Sequence, residues 1–211
     1  MLNGLCGWEW NFAHMRYSDY WRIHRKTFHQ YFQPRFLSRF NPVQRKAVLE
    51  LLDNLMISHD KHGSTIGFEG HLRNYAGSII LHVTYGIKTQ QDCDYYVDLV
   101  ERAIESIVHS GNFGDFLVDY LPLLKWVPSW FPGAAFKRKA KNWSKSVKEL
   151  RDVPWKKLEV SIASDTAIPC FVTENLRNSY TDGGDQNKIQ EVIKNCAGVS
   201  YLAAADTMSY T

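Results

Sequence analysis

The chain has 211 residues, a formal net charge of +3, and 45% hydrophobic and 14% aromatic residues. This charge is too small to indicate a nucleic-acid-binding protein, and the composition is that of an ordinary globular domain. No apolar run of about eighteen residues predicts a transmembrane helix, and no leader with the pattern of a signal peptide is visible. Four cysteines without a CxxC pair favour reduced thiols in a cytosol-facing environment.

The first strong helix signal begins after Ser18 or Asp19, either of which can cap a helix start. Trp21, Arg25 and Phe28 would then share one face, at i, i+4 and i+7. An indole N–H and a guanidinium together suit a carboxylate at a partly buried surface. The alternative is a structural pair, in which the Arg25 cation lies over the Trp21 ring or forms an internal salt bridge.

Helical patterns also dominate the middle of the chain. Asn41 and Pro42 have the types preferred at a helix start, and Gly86 has the type preferred just after a helix end. We therefore predict helices over residues 41–59, 68–86, 92–111, 136–157 and 170–178.

The aromatic segment 125–132 and the basic helix that follows it form a second feature. Aromatic rings beside a row of lysines are typical of a membrane interface, where lysines meet anionic lipid. The alternative is a proline-stiffened loop packed on the protein, next to a solvated basic face.

The last predicted helix covers residues 187–211. Three alanines, Ala203 to Ala205, keep side-chain bulk low. Asp206 follows at a position where an amphipathic helix would carry an apolar residue, and Thr207 can bond back to the backbone or hold water or a ligand. The alternative is a solvent-facing polar pair near a helix end.

Other sites are weakly indicated. His59 and His62 stand at i, i+3, but no third ligand is placed by spacing, so we predict no metal site. His24 and His29 lie beside the face of Arg25, where packing and hydrogen bonding are the expected roles. No phosphate-binding glycine loop, HExxH motif or Gly-x-Ser-x-Gly elbow is present.

Four segments in chain order resemble the cytochrome P-450 haem-thiolate monooxygenases, particularly those of fungi. They are residues 7–32, similar to the stretch leading into the C helix; 74–87, similar to the E helix; 116–143; and AAADT at 203–207, in the place of the oxygen-activating I helix. The resemblance spans nearly all of this chain and the central part of a full-length member. It implies an all-α fold, the helical portion of the mainly-α P-450 fold without most of its β-sheet, and one partial domain over residues 1–211.

The resemblance also points to two sequence patterns that are not present. Members hold haem iron through a cysteine in a glycine-rich loop, with a Glu-x-x-Arg pair upstream. Neither pattern occurs in the chain, and none of its four cysteines, Cys6, Cys93, Cys170 and Cys196, has the flanking Phe and Gly residues. We expect a fragment without the axial ligand, inactive by itself. The alternative is a non-catalytic helical remnant or a binding module for an apolar ligand or a membrane surface.

Roles follow from the resemblance position by position. Trp21 and Arg25 would bond a haem propionate, and Asp206 and Thr207 would manage water and protons at bound dioxygen. Residues facing an apolar substrate would be Phe12, Met15, Leu202 and Ala203.

A full-length form would take electrons from NADPH through cytochrome P-450 reductase, on the cytosolic side of the endoplasmic reticulum membrane. The chain departs from the family pattern where Arg16 and Ser18 replace Pro and Gly before the C helix, and where Ala204 replaces the common Gly of the I helix.

Overall fold

The computed structural model describes residues 1–62, 68–88, 93–112, 114–128, 130, 133–182 and 185–207, with the backbone alone at 58–62, 93–94, 180–182 and 205–207. Helices cover most of these residues, and the described part of the chain contains no strand, so the all-α prediction is confirmed. The helices are α1 Leu2–Cys6, α2 Asp19–Phe32, α3 Asn41–His62, α4 Phe68–Tyr85, α5 Cys93–Ser110, α6 Leu117–Tyr120, α7 Ala135–Ala163, α8 Phe171–Asp182 and α9 Gln186–Thr207. Short 3₁₀ helices cover Pro34–Phe40 and Pro122–Trp126.

Local sequence signals set several of these boundaries. The Ser18 hydroxyl accepts a hydrogen bond from the Trp21 backbone N–H at 3.1 Å and caps α2. Gly86 follows α4 with a φ of 68°, the left-handed conformation that glycine adopts without strain.

Three helices end later than the sequence predicts: α3 at His62, α7 at Ala163 and α8 at Asp182. Helix α7 continues to Ala163 rather than ending near Lys157; Leu158 is its last buried residue, and residues 159–163 are exposed or half-buried. Helix α1 and the two 3₁₀ helices were not indicated by periodicity, since segments of five to seven residues are too short to show it.

Helix α9 occupies the centre of the fold. It packs against α2, α4, α5, α7 and α8. Its residues from Val192 to Leu202 are buried or nearly so, and the aromatic side chains around them complete the core. The helix that carries the predicted oxygen-side residues is thus the element on which the others assemble.

Arg39 ties the carboxyl end of α2 to α8. Its guanidinium lies 3.6 Å from the centre of the Tyr31 ring and 4.8 Å from that of Phe40. It also donates to the Tyr31 carbonyl at 3.0 Å and pairs with Glu174 at 3.4 Å. Because the ring contacts, the hydrogen bond and the ion pair act on one side chain, the end of α2 has a defined position against α8.

Candidate functional site

The amino-terminal half of α2 carries the predicted carboxylate-binding pair. The guanidinium of Arg25 lies 5.7 Å from the centre of the Trp21 ring. Trp21 is half-buried and its ring packs beside Tyr17 with centroids 5.4 Å apart, whereas Arg25 is exposed. The cation–π geometry anticipated as a structural alternative is therefore present.

This pair keeps donors available. The neighbouring Arg22 is engaged with Asp19, but within the described residues neither the Arg25 guanidinium nor the Trp21 indole N–H has a hydrogen-bond or ion-pair partner. An arginine stacked on an aromatic ring still presents its N–H fork at its edge. The arrangement can accept a carboxylate from outside the described chain without breaking an existing bond.

The α1–α2 loop, residues 7–18, covers α2 and α9 with aromatic side chains. Trp8 is fully buried, donates its indole N–H to the Ser106 hydroxyl at 2.8 Å and stacks on Trp10 with ring centroids 5.5 Å apart. Phe12, proposed from the sequence to face substrate, is 5% exposed and packs between His24 and Phe28 at centroid distances of 6.0 and 5.6 Å.

Both the loop and α2 contact one face of α9. The Trp10 ring lies over Gly198, where a Cβ would come within 2.8 Å of Trp10 Cζ3. The Asn195 amide lies 3.3 Å from His24 Nε2. At 100° per residue, positions 195, 198, 202 and 206 fall on the same side of a helix. Leu202 therefore shares the face of α9 that the front of the chain contacts.

The predicted site residues near the carboxyl end of α9 are described unequally. Leu202 is buried and Ala203 is exposed. Asp206 and Thr207 lie in the last turn of α9, and their side chains are outside the described residues. Met15, in the α1–α2 loop, is half-buried against the core. The structure thus brings the loop and α2 to the face that contains Leu202.

Sequence reasoning missed the polar residues that join these elements. His24 and Asn195 are 0% and 1% exposed, and burial lowers the pKa of the His24 imidazole. The signal in the sequence is Asn195 itself, a single amide inside the apolar face of α9. Packing and hydrogen bonding are the roles that the sequence favours for His24, but its partner Asn195 is 171 positions away in the chain.

The described cysteines do not fit an iron ligand. Cys6, Cys170 and Cys196 are buried, and burial raises the pKa of each thiol, so the thiolate that binds metal is disfavoured. The Cys93 side chain lies outside the described residues, as do those of His59 and His62. Within the described part of the chain, no group of three or more His, Cys, Asp or Glu side chains could hold a metal ion.

A surface away from α2 is aromatic and basic. Leu123 and Trp126 are 79% and 85% exposed. A groove of about 730 Å³ runs along α7 between lysine side chains, with Leu5, Ala140 and Val153 in its floor. No helix among the described residues has the length and apolar character needed to cross a bilayer.

The chain is similar to cytochrome P-450 monooxygenases of several fungi. The chain is 37% identical to a cytochrome P-450 monooxygenase of Armillaria gallica over 98% of its own length and 40% of the relative. It is 32% identical to one of Coprinopsis cinerea, over 100% of the chain and 39% of the relative, and 30% identical to the tryptamine 4-monooxygenase of Psilocybe cyanescens, over 98% and 39%. The chain spans about 40% of the length of these relatives. No protein-family model and no solved structure matches it.

Proposed function

We propose, starting from the relationship of this chain to the fungal cytochrome P-450 monooxygenases, that it forms the haem-facing helical part of an oxidoreductase that hydroxylates apolar organic substrates. The observation that carries the proposal is the meeting of α2 and the α1–α2 loop on the face of α9 that contains Leu202. Residues 1–211 act together as one partial domain of that enzyme.

Trp21 and Arg25 hold a haem propionate in this proposal. Their donors have no acceptor among the described residues, and a planar guanidinium 5.7 Å from the Trp21 ring centre suits a bidentate bond to a carboxylate. The family implies haem as the cofactor, and haem supplies the oxygen activation when it is bound. The three described cysteines do not fit an iron ligand, so the proposal gives none of them that role.

The remaining roles concern protons and substrate. Asp206 holds a water molecule and Thr207 donates a hydroxyl proton near the end of α9. Leu202, Ala203 and Met15 face the apolar substrate in this proposal; Ala203 is exposed and Met15 half-buried, whereas Leu202 is buried in the core. Phe12 contributes through packing, since its ring is enclosed by His24 and Phe28. A full-length enzyme takes electrons from NADPH through cytochrome P-450 reductase at the endoplasmic reticulum membrane.

The proposal is tested by titrating the purified chain with hemin and following tryptophan fluorescence. Replacing Arg25 by Ala is expected to weaken hemin binding about 10-fold or more, because a charge-assisted bond is lost. Arg22→Ala is the matched control, since Arg22 is an exposed arginine of the same helix and pairs with Asp19. Equal affinities of the two variants would contradict the role of Arg25.

The same preparation tests the missing axial ligand. We expect no thiolate-type absorbance shift when the hemin complex is reduced and treated with carbon monoxide, because the three described thiols are buried in their protonated form. A thiolate-type shift would show that a cysteine of this chain ligates the iron.

A second function, contact with a membrane surface, is favoured by one observation. Trp126 and Leu123 are 85% and 79% exposed, and Lys137 of α7 donates to the neighbouring Lys125 and Val127 carbonyls, an arrangement of rings and lysine that suits an anionic lipid surface. Flotation with vesicles containing anionic lipid tests it. Wild-type protein is expected to float with the vesicles and Trp126→Ala to float less; absence of the wild-type protein from the vesicle fraction would remove this function.

A further inference from the structure

Three polar side chains from three helices form a continuous hydrogen-bonded chain behind α2. Arg151 of α7 donates to the Asn195 amide oxygen of α9 at 3.5 Å. The Asn195 amide nitrogen lies 3.3 Å from His24 Nε2, and His24 Nδ1 lies 2.8 Å from the Tyr20 carbonyl. His24 and Asn195 are 0% and 1% exposed. We call this series of contacts the relay.

Donor and acceptor chemistry fixes the protons of the relay. A guanidinium has no acceptor, so the atom of Asn195 that meets Arg151 is its oxygen, and its NH₂ group faces His24. That group can only donate, so His24 Nε2 is the unprotonated acceptor. The imidazole proton is then on Nδ1, which donates to the Tyr20 carbonyl. Every group in the relay is satisfied only when His24 is neutral.

Arg151 also connects the relay to the α1–α2 loop. Its guanidinium lies 5.7 Å from the centre of the Trp10 ring and pairs with Asp152 at 3.1 Å. Trp10 is the residue that lies over Gly198, one turn beyond Asn195 on α9. One arginine therefore contacts the loop directly and reaches α2 through Asn195.

We propose that His24 and Asn195 are positioning residues, which with Arg151 set the rotation and register of α2 against α9. Trp21 is three residues before His24 and Arg25 is one residue after it. A turn of α2 about its axis would therefore move both donors. The inference rests on the proposed function for what the donors hold, but the relay itself is a property of the chain without haem.

The relay predicts an unusual response to the substitution Asn195→Asp. A carboxylate cannot donate to neutral His24, so the introduced side chain favours the imidazolium, which can donate from both nitrogens. In the wild-type protein the relay is lost as His24 takes up a proton. In Asn195→Asp it is restored by the same proton. Acid should therefore weaken the relay in the wild-type protein and strengthen it in Asn195→Asp.

Other titratable groups lie around His24 and Asn195 on α2, α7 and α9. They are Tyr20 on α2, Glu191 and Cys196 on α9, and Arg151 on α7. Desolvation raises the pKa of the Tyr20 phenol and of the Cys196 thiol, so neither ionises in mildly acidic solution. Glu191 is present in both proteins, whereas Arg151, which donates to the side chain at 195, would form an ion pair with the introduced carboxylate at either pH.

The test is thermal melting of the chain without haem at about pH 8 and about pH 5.5. The deficit in melting temperature of Asn195→Asp relative to wild type should be largest at the higher pH and fall by about half or more at the lower. Ser200→Ala is the matched control, because Ser200 is a buried α9 residue that bonds within its own helix, to the Cys196 carbonyl. Its deficit should be independent of pH. A deficit of Asn195→Asp that does not change with pH would overturn the proposal.

A second measurement covers the case in which Asn195→Asp does not fold. ¹⁵N NMR of wild-type protein with ¹⁵N-labelled histidine should show that the Nδ1 of His24 is protonated and its Nε2 is unprotonated. A protonated Nε2 at neutral pH would overturn the relay.

Hemin titration separates this inference from the proposed function. With the wild-type chain binding hemin, Asn195→Asp should bind it about 10-fold more weakly than Ser200→Ala at about pH 8. Hemin binding by Asn195→Asp equal to that of Ser200→Ala would overturn the positioning role. Failure of the wild-type chain to bind hemin would contradict the role of Trp21 and Arg25, while the melting and NMR results would still decide the relay.

Discussion

The α1–α2 loop and the segment 117–130 are both rich in aromatic residues, yet they expose them oppositely. Trp8 and Trp10 of the loop are 0% and 7% exposed, whereas Trp126 of the segment is 85% exposed. The buried residues each have a defined neighbour: Ser106 accepts from Trp8, and Gly198 offers a flat helix surface to Trp10. The same residue type is therefore buried or exposed according to the residues that the fold places next to its ring.

The same difference separates structural from surface roles. The loop is fixed by contacts to α5, α7 and α9, which makes it part of the core. The described residues of the segment, 117–128 and 130, include short helices and a large exposed apolar surface, which is suited to contact with another molecule. The same type of substitution should therefore lower the free energy of unfolding far more in the loop than in the segment 117–130.

The largest expected contrast is between Trp8→Ala and Trp126→Ala. Removing Trp8 empties a fully buried volume and leaves the Ser106 hydroxyl without its donor, so the free energy of unfolding should fall by about 3–5 kcal/mol. Removing Trp126 should change it by less than about 0.5 kcal/mol. Urea denaturation monitored by circular dichroism measures both. Similar losses for the two variants would show that the exposed segment is also part of the stable core.

An intermediate effect is expected where the loop meets α9. Gly198→Ala would place a Cβ 2.8 Å from Trp10 Cζ3, so the ring must move and the free energy of unfolding should fall by about 1–3 kcal/mol. Gly70 in α4 has nothing within 4 Å of the corresponding position, so Gly70→Ala should leave stability unchanged or raise it by up to about 1 kcal/mol. Urea midpoints decide between them, and an unaffected Gly198→Ala would mean that Trp10 is not fixed on α9.

The smallest expected effect is that of acid. Desolvation lowers the pKa of His14 and His24 below the ordinary value of 6.5, so the folded state binds fewer protons than the unfolded state. Their contribution is fully present above that value and is lost as the pH falls through the lowered pKa. The segment 117–130 contains no histidine.

Limited proteolysis at decreasing pH measures this difference, with a protease whose activity is corrected on an unfolded substrate. Cleavage within residues 7–32 should accelerate relative to cleavage within 117–130. Parallel acceleration in both regions would contradict a local effect of the two histidines.

Local signals were sufficient to predict much of the fold. The start of α2 and the end of α4 depend on Ser18 and Gly86, which act on their own neighbours in the chain, and both were predicted correctly. The face shared by Trp21 and Arg25 also follows from helical spacing alone, and the pair is found within contact distance. Their role toward haem stays a prediction.

Contacts between residues far apart in the chain could not be predicted from local sequence signals. The bond between Trp8 and Ser106 joins residues 98 positions apart, and that between His24 and Asn195 joins residues 171 apart. Nothing in either short segment specifies its partner. Phe12 shows the same limit: its packing between His24 and Phe28 could not be read from its sequence position, and its role toward substrate stays a prediction.

The contacts of His24 and of Tyr31 fix the number of residues between these two positions of α2. His24 bonds to α9, and seven residues later Tyr31 lies beneath Arg39, which pairs with α8. The two points are about two helical turns, or about 10 Å, apart. One inserted or deleted residue would rotate one contact by about 100° relative to the other, so both could not form at once. Between these positions α2 should accept many amino-acid exchanges but no change in residue number.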